Sequence, residues 1–320
     1  MSANSNSANL SAAKKVRKYS LPSIRKDFKQ NKILLLMVLP LVLFYIIFHY
    51  MPMGGLIMAF QNYKPKLGLW GSPFVGLQNF KDFFSSVYFG RVVGNTLAIS
   101  LLDLLITFPV TILFALLLNE ITSNRFKRTI QTISYMPYFI SIVVVAGIIV
   151  DFCNSRGAIA QIVSLFTGET KNLLGVPDYW RPIYIISGMW QGIGFGSIIY
   201  IAAIAGVDQE LYEAAALDGA GRLRQTLYVT LPGISTTIAI MLILKIGGML
   251  SVGYEKTILL YNPQVYETAD IISSFVYRKG LLEFNYGYST AVGMFNSVIN
   301  FILLITANSI SKKVTDYGLF

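Results

Sequence analysis

The sequence predicts an all-α membrane protein with six transmembrane helices. Its 320 residues are 54% hydrophobic and only 13% charged, and its mean hydropathy is +0.57, far from the balance of a soluble domain. Six apolar stretches also reach the ~20 residues that a helix needs to cross a hydrocarbon core. The strands of a membrane barrel are about ten residues long and alternate in polarity, so they would not give such continuous runs.

We expect a disordered, basic cytoplasmic segment at 1–30, a transmembrane domain at 31–311 and a cytoplasmic tail at 312–320. The first apolar run exceeds the ~7–15 residues of a signal-peptide core, so we expect it to remain as an uncleaved span. The six spans are predicted at 33–60, 92–118, 130–150, 183–204, 234–252 and 291–310.

Lys and Arg residues set the expected orientation, because positively charged connections tend to stay in the cytoplasm. They are dense in the N-terminal segment, in two short connections and in the tail, at Arg125, Lys127, Arg128, Arg222, Arg224, Lys312 and Lys313. The opposite connections, at about 61–91, 151–182 and 253–290, are longer and less basic for their length. Both termini are therefore predicted to be cytoplasmic.

The composition argues against several other classes of protein. The net charge of +10 comes from residues that bracket apolar runs instead of forming a stripe, so no nucleic-acid partner is expected. The single cysteine, Cys153, has no metal-ligand pattern around it, so no metal site is expected. The sequence contains one His and lacks the His-Glu-x-x-His, Gly-x-Ser-x-Gly and Walker phosphate-loop motifs. No catalytic residue is predicted.

The connection at 207–232, between the fourth and fifth spans, has the most informative pattern. Asp208 can cap a short helix, Ala214 to Ala216 favour its continuation, and Gly219 permits a left-handed exit. Pro232 can then open the next membrane helix at its first position, where the missing N–H costs little. The pattern predicts a short amphipathic cytoplasmic helix, a turn and a second helix that starts near Arg222.

This connection resembles the Glu-Ala-Ala (EAA) loop in the membrane subunits of binding-protein-dependent ABC importers. Glu213, Ala214 and Ala215 are followed by Gly219, six positions after the glutamate, and then by the motif 229–232. The resemblance implies a type I ABC importer permease fold in which a coupling helix contacts the ATPase through Glu213, Ala214, Ala215, Asp218, Gly219 and Pro232. One departure is Asp208, where the family often has a proline.

Other segments resemble the carbohydrate-uptake, maltose-type branch of the family. Residues 74–80 are similar to the first outer loop of sugar permeases, while 253–263, 266–270 and 277–280 resemble the subgroup for lipoprotein-linked uptake of complex polysaccharides. The resemblance implies a permease in a bacterial inner or plasma membrane that imports oligosaccharides or polysaccharides, including acidic, uronate-type ones. Its implied partners are an external solute-binding protein, a second permease in a heterodimer, and two ATPase subunits that hold ATP and Mg; this chain itself is expected to carry no cofactor.

Polar residues inside the spans are candidates for the substrate path, because ionisable groups are costly in a bilayer. Lys245 either pairs structurally with Asp103 or lies in the path, where a cation would suit an acidic sugar. Asn296 and Asn300 share a helix face. Trp190 offers a stacking surface and Gln191 a hydrogen-bonding amide, with helix packing as the alternative role for each of these four residues.

A different class of transporter is the main alternative hypothesis. A secondary sugar transporter driven by an ion gradient would favour inverted repeats and paired broken helices, which the sequence does not reveal. It would also leave the pattern at 207–232 unexplained. Gly192, Gly194 and Gly196 do not form a nucleotide loop, because they lie inside a predicted membrane helix, and we expect them to allow close helix packing.

Overall fold

The computed structural model describes residues 31–315 and residue 318, and this part is helical apart from turns and one antiparallel bridge between Gln61 and Phe74. The predicted N-terminal segment 1–30 lies outside the described residues. The chain forms two compact units, and the boundary between them lies between Gly55 and Leu56. Residues 312–315 continue the last helix, so helical structure extends into the predicted tail.

The first unit contains an apolar helix, α1 (Lys32–Tyr45), extended by a π-helical turn (Ile46–Tyr50) and a short helix (Met51–Met53). A 3-10 helix follows at Gly54–Phe60. None of the residues from 32 to 53 is buried. An apolar helix whose side chains are exposed is suited to lipid as its solvent.

The second unit contains the remaining helices. The principal ones are α2 (Gln78–Ser85), α3 (Phe89–Glu120), α4 (Asn124–Tyr135), α5 (Ile142–Cys153), α6 (Ala158–Thr167), α7 (Pro177–Ala205), α8 (Gln209–Leu217), α9 (Ser235–Gly247), α10 (Tyr254–Leu260), α11 (Ile272–Tyr277) and α12 (Tyr286–Thr315). Shorter helical turns lie at Gly68–Gly71, Met136–Phe139, Leu173–Gly175, Arg222–Gln225, Thr226–Thr230, Leu231–Gly233, Pro263–Val265, Tyr266–Ala269 and Arg278–Leu282.

The prediction of an all-helical membrane protein is confirmed. Within the described residues, five helical segments are long and apolar enough to cross a membrane, and a bent pair makes a sixth. The five are Lys32–Phe60, Phe89–Glu120, Ile142–Thr167, Pro177–Ala205 and Tyr286–Lys313, and the bent pair is Arg222–Gly233 with Ser235–Gly247.

The third candidate span begins later than the 130–150 predicted from hydropathy. The helix α4 gives way to a 3-10 turn that contains Pro137, and Ser141 then caps α5 by accepting a hydrogen bond from the Val144 amide. Proline lacks an amide donor and serine favours a cap, so the apolar run is divided between two helices. The candidate span runs from Ile142 to Thr167.

The entry into the fifth span is bent. A π-helical turn at Thr226–Thr230 leads into Leu231–Gly233, and the chain turns by 62° before α9. Pro232 therefore lies in the short helix before the bend and not at the first position of α9. Gly233 allows this path, because a Cβ there would lie 2.8 Å from Val207 Cγ2.

Close helix contacts hold the second unit together. A Cβ on Gly194 of α7 would collide with the Ser134 carbonyl oxygen, so the packing role expected for Gly194 is confirmed. A Cβ on Gly192 would have no contact within 4 Å in the described chain, so the packing role expected for Gly192 is wrong. A Cβ on Gly247 of α9 would meet Leu304 Cδ1 of α12 at 2.5 Å. Trp180 is fully buried and donates from Nε1 to the Leu260 carbonyl at 3.3 Å. These contacts pack α7 against α4 and α10, and α9 against α12.

Candidate functional site

A cavity of about 560 Å³ lies among α3, α7, α9 and the chain from 248 to 256. Its polar lining comes from each of these elements, and includes Asp103, Lys245, Gln191, Tyr184, Tyr200 and Lys256. A pocket of this size is within the range of small-molecule sites. The cavity thus brings charged and hydrogen-bonding groups from four separate parts of the sequence to one space.

Lys245 and Asp103 form an ion pair, as one of the two sequence hypotheses expects. Both residues also line the cavity, and their side chains are 40% and 32% exposed. Lys245 can therefore pair with Asp103 and at the same time lie at the wall of a candidate substrate path. Because Asp103 balances the charge of Lys245, this pair adds no net charge to the cavity.

Lys256 is the charged residue of the cavity lining that sequence analysis missed, and Tyr184 and Tyr200 were not predicted either. Lys256 lies on α10, is only 7% exposed, and donates from Nζ to the Tyr184 carbonyl at 2.8 Å. Nζ also lies 4.5 Å from the centre of the Tyr184 ring. Burial lowers the pKa of Lys256 to about 8, and the negative charge of Asp103 opposes this shift. Hydropathy alone assigns this lysine to an outer connection, and no local pattern indicates that α10 lies against α7.

Gln191 and Trp190 lie in different environments although they are neighbours in sequence. Gln191 lines the cavity, and its Nε2 donates to the Ile140 carbonyl at 3.4 Å. Trp190 is 44% exposed and lies outside the lining of this cavity. Successive helix residues point about 100° apart, and here that rotation turns the Trp190 side chain away from the cavity that Gln191 lines.

Asn296 and Asn300 also have different surroundings. Asn300 accepts a hydrogen bond from the Leu250 amide and donates to Ser251 Oγ, both at 2.9 Å, so it fixes the chain that leaves α9. Asn296 lines a second cavity of about 410 Å³, bordered by Tyr254, Tyr277 and Tyr286 among others. Its Oδ1 is buried and has no hydrogen-bond partner among the described residues.

A second ionic cluster lies around Asp270, which is fully buried. Arg278 contacts both carboxylate oxygens, at 3.2 and 2.6 Å, and Arg91 contacts one at 3.1 Å. Ser274 donates to the same carboxylate at 3.0 Å. Burial lowers the pKa of Arg278, but the hydrogen bond and charge of Asp270 outweigh this effect and the net pKa is raised. This cluster joins α3 to the chain around α11.

The first helix of the connection at 207–232 and its exit turn fold as the sequence predicts, whereas Pro232 does not open α9. The Asp208 side chain accepts from the Glu210 amide at 3.0 Å and caps α8. At the other end, Gly219 has a φ of +78° and its amide bonds to the Ala216 carbonyl. The Ala220 amide bonds to the Ala215 carbonyl at 2.9 Å, which completes a Schellman turn.

The predicted contact residues of this loop are accessible. Glu213, Ala214, Asp218, Gly219 and Pro232 are exposed, and Ala215 is half-buried. Several apolar side chains on the same loop are also exposed, namely Leu211, Leu217, Leu223, Leu227 and Tyr228. Leu211 and Leu217 lie on α8, outside the candidate spans, where exposed apolar side chains favour an interaction surface.

Tyr212 attaches the loop to the helical bundle. Its hydroxyl and that of Thr230 form a hydrogen bond of 2.9 Å, and its ring packs against a buried cluster that includes Ile204, Val207 and Ile234. Tyr212 therefore links α8 to the end of α7 and to the bent fifth span. Within the described residues, no group of His, Cys, Asp and Glu side chains is arranged to hold a metal ion.

Comparison with known proteins identifies a matching family and close relatives. The family described as "binding-protein-dependent transport system inner membrane component" matches residues 107–316. The chain is 44% identical over 292 residues to the polygalacturonan/rhamnogalacturonan transport system permease protein YteP of Bacillus subtilis (strain 168). This match covers 91% of each chain.

Two solved structures have the same fold. One is the crystal structure of a bacterial ABC transporter involved in the import of the acidic polysaccharide alginate, with a TM-score of 0.85. The other is the bacterial alginate ABC transporter in complex with an alginate pentasaccharide-bound periplasmic protein, with a TM-score of 0.84. Each matching chain is 42% identical, and the match covers 92% of this chain and 99% of that chain.

Proposed function

Because the chain belongs to the binding-protein-dependent transport system inner membrane component family, we propose that it is a permease subunit of an ATP-driven importer of acidic oligosaccharides or polysaccharides. The observation that carries this proposal is the 560 Å³ cavity among its membrane helices, which is lined by two lysines and one aspartate. A net positive cavity suits an anionic substrate. The family match favours this function over a transporter driven by an ion gradient.

The similarity to two transport systems for acidic saccharides supports the substrate class. One relative is named for polygalacturonan and rhamnogalacturonan, and a structural neighbour imports the acidic polysaccharide alginate. We propose that a uronate-containing oligosaccharide is delivered to this permease by a solute-binding protein outside the membrane. The neighbour in complex with a pentasaccharide-bound periplasmic protein supports that partner.

The proposed energy source lies on other subunits. This chain has no Walker phosphate loop, so ATP and Mg would be held by two ATPase subunits. The exposed face of α8, with Glu213, Ala214, Ala215, Asp218 and Gly219, would dock against one ATPase, and Pro232 would direct the chain into the bent fifth span. A second, homologous permease would complete the membrane pathway.

A reconstituted assembly tests this function. The permease pair, the ATPases and the solute-binding protein would be placed in liposomes, and uptake of a labelled oligogalacturonate would be measured with ATP inside. We expect ATP-dependent uptake that requires the binding protein. Absence of uptake of both oligogalacturonate and alginate oligosaccharide by the folded assembly would overturn the proposed substrate class.

A double variant tests the coupling role in the same vesicles. Glu213→Ala with Gly219→Pro removes an exposed charge and the left-handed turn at +78°, so we expect saccharide-stimulated ATP hydrolysis to fall at least about tenfold. Glu169→Ala removes an exposed glutamate from an outer connection and is the matched control. Unchanged stimulated hydrolysis in a double variant that still co-purifies with its partners would contradict the coupling assignment.

A further inference from the structure

The two lysines of the 560 Å³ cavity differ in what balances their charge. Lys245 is paired with Asp103, whereas among the described residues Lys256 forms no ion pair. Among the residues that the structure describes, the cavity lining holds no other carboxylate and no arginine. The surplus positive charge of the cavity therefore belongs to Lys256.

The ammonium group of Lys256 is also incompletely hydrogen-bonded. It has three N–H donors, and within the described chain one of them has an acceptor, the Tyr184 carbonyl at 2.8 Å. The residue is only 7% exposed. A buried cation with unused donors costs folding free energy unless a partner supplies the missing contacts. Its position in the cavity wall leaves those donors available to a ligand.

Two neighbours keep Nζ in place. The Tyr184 ring lies 4.5 Å from Nζ, so its negative face stabilises the cation. Gly188, one turn further along α7, leaves the space that Nζ occupies, because a Cβ at that position would lie 3.1 Å from it. The lysine is thus held at a fixed point of the cavity wall by groups that do not neutralise it.

From this geometry we infer that Lys256 binds a carboxylate of the acidic saccharide in the cavity, while Lys245 and Asp103 form a neutral pair beside it. A carboxylate can accept charge-assisted hydrogen bonds from the unused donors and balances the surplus charge. This inference rests on the proposed function. It assigns selectivity for acidic over neutral saccharides to one residue that lies outside the six apolar spans.

The test compares an acidic probe with a neutral one of the same backbone. Oligogalacturonate and its methyl ester would be offered to the complete reconstituted importer, and initial uptake rates would be measured for each. For Lys256→Met we expect the acidic-to-neutral rate ratio to fall about tenfold, which corresponds to the loss of one charge-assisted hydrogen bond. Lys256→Arg keeps the charge and should restore most of the ratio.

A matched control removes a lysine from the same outer segment. Lys279→Met takes away a lysine that pairs with Glu283 and does not line the cavity, so the ratio should stay within about twofold of the wild type. An unchanged ratio in Lys256→Met, in an assembly whose wild type imports oligogalacturonate, would overturn the inference and leave the proposed function intact. A wild-type assembly that imports neither probe nor alginate oligosaccharide would overturn both.

Discussion

The Asp270 cluster and the cavity around Lys256 both contain one carboxylate and two cationic side chains, yet their charges are balanced differently. Asp270 contacts Arg278 and Arg91 directly, so one buried carboxylate serves both cations. In the cavity, Asp103 pairs with Lys245, and Lys256 has no ionic partner in the described part of the chain. The first arrangement joins helices, and the second leaves a charge available to a ligand.

Burial and the number of hydrogen-bond partners together distinguish a charged residue that stabilises the fold from one that is available to bind a ligand. Asp270 is buried at 0% exposure and has hydrogen-bond partners at both oxygens. Lys256 is buried almost as deeply at 7% but has a single hydrogen-bond acceptor within the described residues. Breaking the first cluster should therefore affect folding, and changing the second should affect substrate selection.

The largest effect is expected at Asp270. Asp270→Ala leaves two arginines without their shared carboxylate, so the free energy of unfolding should fall by about 3–5 kcal/mol. Thermal unfolding of the purified assembly in detergent would measure this loss. Glu283→Ala, which breaks the exposed pair with Lys279, should cost no more than about 1 kcal/mol. Equal losses in the two variants would contradict the structural role of the Asp270 cluster.

A pH dependence is the next effect in size. Burial lowers the pKa of Lys256 to about 8, so its charge is present below that pH and is lost as the pH rises through it. Between pH 7 and 9 the charged fraction falls about tenfold, and uptake of the acidic probe relative to the neutral one should fall with it. The titratable groups that line the cavity with Lys256 are Asp103, Tyr184, Tyr200 and Lys245. Lys256→Arg should abolish this dependence, and a wild-type ratio that is constant from pH 7 to 9 would contradict it.

A smaller effect is expected from crowding the ammonium group. Gly188→Ala places a methyl group 3.1 Å from Lys256 Nζ and should lower the acidic-to-neutral uptake ratio about threefold to fivefold, because the ammonium must move. Gly192→Ala is a matched control on the same helix, lines the same cavity and has no atom within 4 Å of the added carbon. Similar ratios in both variants would show that the position of Nζ is unimportant.

The smallest effect is expected for the neutral pair. Lys245 and Asp103 are 40% and 32% exposed, so their coupling energy should be at most about 1 kcal/mol. A double-mutant cycle with Lys245→Met and Asp103→Asn, read out as the free energy of unfolding in mixed micelles, measures this coupling. A coupling as large as the loss in Asp270→Ala would remove the distinction between the two clusters.

Much of the fold could be predicted from sequence because lipid imposes a simple rule on the chain. Long apolar runs predict helices wherever the backbone must satisfy its own hydrogen bonds, and the candidate spans of the structure follow those runs. The boundaries at Pro137 and Ser141 were harder to predict, because an average over hydropathy does not register a proline or a cap inside an apolar run.

The candidate site was predictable only where its pattern is local. Asp208, Gly219 and the alanines between them lie within one short helix, and its cap and Schellman turn form as expected. The Lys245–Asp103 pair was also predictable, because two opposite charges in apolar spans have few other partners. Lys256 gave no such signal, since many lysines lie in the outer connections.

The sequence by itself determined the membrane class, the helical content and the loop that resembles an ATPase-coupling element. These properties depend on residue type and on spacing within a helix or a span. Only the tertiary structure decided which charges meet, because Asp103, Tyr184, Lys245 and Lys256 are brought together by the packing of separate helices. The net charge of the cavity depends on charged residues from helices that are distant in sequence, so no local sequence pattern predicts it.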